Sequence, residues 1–413
     1  MRVARKPLLV VILAAAALAA GCDGVPVTPG SASPGSPVSA APVPTTAPSP
    51  AVPAPTVSGT PAPSAAPTVL AATISRIAGI GASGYAGDGG VALTAKFNGP
   101  WGLAFDAAGT LWVADSGNSR LRKITKSGDI SSGLGTATSG FNGDNITEQA
   151  TSLSQPYGVA FSASGHTYVA DTYANRIRRL DGVTRLVTTV AGIGTGGLRG
   201  DGGLATQATL SNPACVVVNS QETLYIADRG NNAIRMVTAG GMISTVVGTG
   251  TGGYNGDSKL GSTVSLRFPE GLALDKTGNL YIADGGNSRI RKLTPDGIVR
   301  TIVGNGTAGF SGDGGPALAA SINRPIGMAV AADGTLFFAD ADNHRIRMVR
   351  PDGTIQTVAG STAIASANDD GPALQAGFGR PTGLALDADG NLFVTDTGPS
   401  PYDQTVRKIT FTR

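Results

Sequence analysis

The chain has only two histidines and two cysteines among its 413 residues, and each scarcity removes a class of chemistry. His166 and His344 fall in turns that the repeat described below places on opposite faces. They can form neither a zinc site nor an acid–base pair. Cys22 and Cys215 permit at most one disulfide, so the fold does not rest on cross-links. No Gly-x-Ser-x-Gly string marks a nucleophile elbow, and the Gly-x-Gly strings have no helix after them to cradle a phosphate. Aromatic residues make up 5%, while 60 Gly accompany abundant Val, Ile, Leu and Thr, a composition of short strands and tight turns with little room for helix. Net charge is missing too. Of the 31 basic residues, setting aside Arg2, Arg5 and Lys6 leaves 28, equal to the 28 acidic ones, which argues against a nucleic-acid partner.

What the chain does have is repetition. One unit recurs six times at a spacing of about 56 residues, a period that belongs to repeat architectures. Its anchor is a Pro before a short apolar run: Pro100, Pro156, Pro213, Pro269, Pro325 and Pro381. An Asp stands 15 residues after each Pro and closes a second run: Asp115, Asp171, Asp228, Asp284, Asp340 and Asp396. A third run always carries one Arg: Arg122, Arg178, Arg235, Arg291, Arg347 and Arg407. Each unit reads as four strands, the fourth more polar, as suits an outer edge. The fourth type follows only five of the units. The missing copy stands at the front, where Thr73-Ile74-Ser75-Arg76-Ile77-Ala78-Gly79 matches Thr354-Ile355-Gln356-Thr357-Val358-Ala359-Gly360. The sequence therefore predicts an all-β, six-bladed β-propeller of four-stranded blades whose N-terminal strand closes the last blade.

Residues 1–21 read as a signal peptide, with basic residues ahead of an apolar stretch, Leu8–Ala20, too short to span a membrane. Leu18-Ala19-Ala20-Gly21-Cys22 resembles the lipobox of bacterial lipoproteins, with Leu18 one place early, and the resemblance implies lipidation at Cys22. Residues 22–72 then form a Pro/Ala/Ser/Thr-rich stalk. The stretch 25–72 has no charge and holds half of the 26 prolines, and as extended polyproline it would reach up to roughly 140 Å. Residues 73–413 carry the repeats. The expected protein is exported, held to a membrane of the cell envelope by its N-terminal lipid only, and monomeric.

The repeat resembles a known family. Gly278-Asn279-Leu280-Tyr281-Ile282-Ala283-Asp284 followed by Asn287-Ser288-Arg289-Ile290-Arg291 is similar to the NHL repeat, and Phe310-Ser311-Gly312-Asp313-Gly314-Gly315-Pro316-Ala317 is similar to the longer version found in bacteria and in teneurins. That resemblance also implies a six-bladed propeller. It does not fix function, because NHL-type propellers include binders, sensors and a few enzymes.

Two rings of charge recur in every unit. Asp115 and Arg122 with their equivalents read as structural, each Asp capping a hairpin loop and pairing with an Arg. A partly exposed pair of this kind contributes about 0.5–1 kcal/mol. Asp88, Asp144, Asp201, Asp257, Asp313 and Asp369 lie in Gly-rich loops, where each stabilises a turn or caps the short Ala-rich turn after it. Calcium, which takes several oxygens, is a poorer fit to one carboxylate per loop, and no cofactor is expected. Asymmetry is the better guide to a ligand. The residue after each Pro differs: Trp101, Tyr157, Ala214, Glu270, Ile326 and Thr382. These positions enter the innermost strands at the channel mouth, beside the long loops, and Trp101, Tyr157 and Glu270 are expected outside the blade-to-blade core. Trp101, Tyr157, Glu270, Ile326 and Thr382 are the candidate ligand-binding residues, unless the position merely tolerates any side chain. Cys215, standing where five units have Gly, reads as a small apolar filler. The function expected is a non-enzymatic binding or scaffold module for a protein or glycan outside the cytoplasm. The alternative is a calcium-dependent hydrolase or lyase in the channel, using chiefly Glu270 and Asp370.

Overall fold

The computed structural model describes residues 71–364, 367–398 and 403–412. The expected signal peptide (1–21), the lipidation site Cys22 and nearly all of the stalk lie outside the described residues.

Six antiparallel sheets form the propeller; from the channel outward the four strands run in sequence order in blades one to five, while in blade six three do so and the N-terminal strand follows them. Blade one has Pro100–Phe105, Leu111–Asp115, Arg120–Ile124 and Ile130–Leu134. The second strand of each blade is apolar at successive positions because both of its faces are covered by neighbouring blades; all five residues of Leu111–Asp115 are buried. Asp106 accepts from the backbone N–H of Ala108 and Thr110 at 3.0 and 2.9 Å, and this side-chain turn links the first strand to the second. The first strand of each blade contacts the first strand of the next, and that of blade six contacts that of blade one, so the ring closes. The apolar interior is divided into six clusters, each built from two adjacent blades: Trp112, Ala114 and Leu121 of blade one, for example, pack on Val159 and Val169 of blade two.

The closing strand is as expected. Strand β1 (Ala72–Gly81) pairs antiparallel with Gln404–Phe411, in the register Thr73 with Thr410 and Ile74 with Ile409, and supplies the fourth strand of blade six. Ile74 and Ala78 are buried and Ile77 is only half-buried. The fourth strand is not the outer edge, however. In blades two, four and six the loop entering the blade adds a fifth, two-residue strand outside it, Gly371–Pro372 in blade six. In blades one, three and five a single bridge does the same, as between Val91 and Asp129. Each loop thus covers the unpaired edge of the blade it leads into.

That path corrects the placement of the Gly-rich loops. They do not rim the channel mouth. Each leaves the mouth face and runs down the outer edge, then returns between blades through a 3₁₀ turn such as Ala92–Thr94. The two limbs touch: a Cβ on Gly87 would lie 2.7 Å from the Ala95 Cα, and one on Gly200 at the same distance from that of Ala208.

The repeated charges are also placed differently from expectation. The 3₁₀ turn at Ala92 has no side-chain cap. Asp88 instead accepts from Arg122 Nε at 2.8 Å, while Arg122 Nη1 reaches Asp115 at 3.3 Å. In five blades the two rings are therefore one lock, in which a fully buried Arg lies between a loop Asp and a strand Asp; in blade two Arg178 reaches the loop Asp144 at 3.1 Å but makes no such contact with Asp171. Asp115 and Arg122 are both 0% exposed, so the pair is interior and not partly exposed. In five blades an aromatic ring of the entering loop also covers the guanidinium within about 5 Å: Tyr85, Phe141, Tyr254, Phe310 and Phe378.

Blade two also lacks an asparagine that four others have. Asn118, Asn231, Asn287 and Asn343 each donate to the strand Asp at 2.7–2.8 Å, and blade two has Ala174 at the same place. Asp171 Oδ2 is left buried with no hydrogen bond among the described residues. Burial pushes the strand carboxyls up to about 6 in the blades with Asn, and Asp171 to about 7. A raised folded pKa contributes stability that is full at low pH and lost as pH rises through about 7. Ala174→Asn is therefore expected to stabilise the protein by about 1.5–3 kcal/mol at pH 8, where it donates to an ionised Asp171. At pH 5 the gain should be nearer 0.5–1.5 kcal/mol. Urea denaturation at both pH values checks this; an equal gain at both would show that Asp171 does not titrate in that range.

Candidate functional site at the channel mouth

The first strands begin on one face of the ring, and the residue after each Pro lines a central channel of about 400 Å³. Successive first strands approach closely there: a Cβ on Gly271 would fall 1.9 Å from the Ile326 carbonyl oxygen, and one on Gly102 2.3 Å from that of Tyr157. Cys215 replaces the Gly in blade three. It is free and half-buried in the channel wall, and burial pushes its thiol up to about 11, away from the reactive range.

The six positions divide into unlike halves. On one side Trp101 and Tyr157, both half-buried, stack with ring centroids 4.4 Å apart, and Tyr173 meets Tyr157 edge-on at 6.2 Å. Burial, then the hydrogen bond with Tyr173, push the Tyr157 hydroxyl up to about 12. On the other side Glu270, 4% exposed, accepts through one oxygen from Arg229 Nε at 3.2 Å and from Arg324 Nη2 at 2.8 Å. Arg380 lies over the Trp101 ring, 5.9 Å from its centroid, and contacts Asp342 at 3.3 Å. Burial and the neighbouring Arg324 both lower its pKa.

Trp101, Tyr157 and Glu270 were expected outside the packed interior; the two aromatic residues are half-buried and Glu270 is buried. Ile326 and Thr382 line the channel at 2% and 0% exposure. The Thr382 hydroxyl is engaged with the Pro100 carbonyl at 3.3 Å and the Thr395 hydroxyl at 3.0 Å, joining blade six to blade one. Glu270 is buried because two arginines hold it. Asp370 does not share its site: the Asp370 N–H bonds the Ile74 carbonyl on the outer edge of blade six, so the two acids invoked for a calcium-dependent enzyme do not meet. Among the described residues no three acidic, His or Cys side chains converge on a point where a metal would sit. His166 Nδ1 accepts from the Gly182 N–H on the face away from the mouth, and the His344 ring bonds the Gly379 carbonyl on the mouth side.

Sequence reading missed Arg229, Arg324, Arg380 and Tyr173. The signal for the three arginines lay one place outside the positions compared. The residue before each Pro runs Gly99, Gln155, Asn212, Phe268, Arg324, Arg380, and the residue after each Asp runs Ser116, Thr172, Arg229, Gly285, Ala341, Thr397. Neither series is constant, and both break the sixfold symmetry toward positive charge on one side.

The model of the NHL repeat matches residues 97–124 and 266–293, and that of the Teneurin NHL domain matches residues 194–253 and 306–369. The chain belongs to the NHL-repeat β-propeller family. Mouse Teneurin-4 is 29% identical over 342 residues, covering 73% of this chain and 12% of that protein. The chloroplastic Protein SUPPRESSOR OF QUENCHING 1 of Arabidopsis thaliana is 31% identical over 290 residues, 65% of this chain and 27% of that protein. NHL repeat-containing protein 2 of Gallus gallus is 28% identical over 330 residues, 72% and 45% respectively. The chain thus spans less than half of the length of these relatives. Among solved structures, a Bacteroides thetaiotaomicron protein of unknown function superposes with a TM-score of 0.60 at 19% identity, covering 83% of this chain and 76% of that one. An auxiliary nutrient binding protein from the same organism gives 0.58 at 14%, covering 83% and 77%. These two share the fold. The NHL blade accounts for the repeated Asp and Arg; the aromatic and arginine halves of the mouth belong to no repeated position.

Proposed function

We propose that this NHL propeller is a non-enzymatic binding module that seats a protein or glycan at its channel mouth, outside the cytoplasm and tethered through a lipid on Cys22. The observation that carries this is the broken symmetry. Six near-identical blades present a stacked Trp101–Tyr157 pair facing a Glu270–arginine cluster, and the repeated blade requires neither. A concave site with an aromatic wall and a few convergent polar groups is the usual form of a ligand pocket. Named relatives of the fold include a nutrient binding protein, which accords with the reading.

Replacing Trp101 and Tyr157 together by Leu tests it. Both rings are half-exposed, so the melting temperature should change little, whereas binding to an array of envelope polysaccharides should weaken at least about tenfold. Unchanged binding by the folded double variant would remove the mouth as the site. Glu270→Ala is a poorer test, because it leaves two arginines without their shared acceptor. For the tether, Cys22→Ser is expected to move the protein from the membrane to the soluble fraction with the propeller still folded. Retention of a variant shown by mass to have lost residues 1–21 would argue against a lipid.

A further inference from the structure

Building on the mouth as the binding site, we infer that its ligand is an acidic sugar, a uronate residue of an oligosaccharide. The carboxylate would lie on Arg380 and the ring beside Trp101. Three observations converge. The mouth carries Arg229, Arg324 and Arg380, and two of the three share the single acceptor Glu270. Arg380 Nε and Nη2 are buried without a hydrogen-bond acceptor among the described residues, although Asp342 lies 3.3 Å away. Two buried donors side by side on one guanidinium match the two oxygens of a carboxylate, which binds such a fork through parallel hydrogen bonds.

Glu270 supplies the second feature. Its Oε1 is taken by both arginines, and Oε2 is buried with no partner among the described residues. A carboxylate oxygen only accepts, so what satisfies it is a hydroxyl or an N–H of the ligand. The third is the Trp101 ring, whose face is turned toward Arg380. A group held by Arg380 brings the rest of its molecule alongside that apolar surface. A uronate has all three complements: a carboxylate, several hydroxyls and an apolar C–H face. A phosphate lacks the flat face, a neutral sugar the charge, and an aromatic acid the hydroxyls. Trp101 and Glu270 also line the channel of about 400 Å³, near the lower end for ligand pockets, which opens beside them.

Calorimetric titration of the full-length protein tests this, with trigalacturonate and a hyaluronan tetrasaccharide as probes and the carboxyl-reduced form of each as control. At least one acid should bind tenfold or more tightly than its reduced form. That preference should shrink below twofold in Arg380→Gln and with rising salt. Trp101→Leu should weaken the acid and its reduced form alike, about tenfold. Equal affinity for the acid and reduced forms overturns the acidic assignment; if Trp101→Leu weakens that binding, the mouth still stands as the site. No binding of either acid to protein that melts normally also overturns it, and leaves the mouth to be judged by the Trp101/Tyr157 variant.

Discussion

A chain lacking residues 73–79 is expected to melt far below the full-length protein and to aggregate. The deletion removes the strand that pairs with Val406–Thr410, and with it buried Ile74 and Ala78. Burial of one Ile contributes about 2 kcal/mol and each ladder hydrogen bond about 1 kcal/mol. The loss is then roughly 5–10 kcal/mol, the size of a whole domain's stability. It also exposes a strand edge ready to pair with another molecule. Deleting residues 25–70 should leave the melting temperature almost unchanged. Calorimetry on the two truncations side by side decides; if both melt alike, β1 does not close the ring in solution.

Arg122→Met should come next in severity. The guanidinium is 0% exposed and donates to Asp88, to Asp115 and to the carbonyls of Lys96 and Ala86. Its loss strands Asp115, which is 0% exposed, and frees the entering loop from the blade. Breaking a buried pair from one side costs about 3–5 kcal/mol, against less than 1 kcal/mol for a surface pair. Adding Asp115→Asn should recover part of the loss, because the stranded charge goes with it. Urea midpoints for the single and double variants test this. A single-variant cost under about 1 kcal/mol would mean that the pair behaves as an exposed one.

The architecture was legible because six copies of one unit make a weak pattern strong. Pro, Asp and Arg recur at fixed offsets, and the copy missing from the C-terminal end could be found at the front. Burial of the Arg ring was not legible. Arg120-Leu121-Arg122 shows two like residues in the third strand, and only the loop that folds back across Arg122 distinguishes it from its neighbour. The fifth strands were also hidden, since pairs such as Lys259–Leu260 are too short to show periodicity. At the mouth, Trp101, Tyr157 and Glu270 were found by asking which position varies. Arg324 and Arg380 were not, because a residue before Pro reads as a turn element, and nothing local says that six such turns meet around one opening. Thr382 shows the converse: a varying residue may differ between units because of one interface and not because of a ligand.

β1 begins on the face opposite the mouth. Ala72 pairs with Phe411, at the far end of the strand that starts near the mouth with Gln404. Chain preceding Ala72 therefore joins the propeller on the side away from Trp101 and Arg380. A pull between a molecule held at the mouth and the chain ahead of Ala72 would run along the axis of β1, across its hydrogen bonds. It would load the ladder to Gln404–Phe411 in shear, all of its bonds together, and not peel them one at a time. The seam that closes the ring is also oriented to resist tension on it.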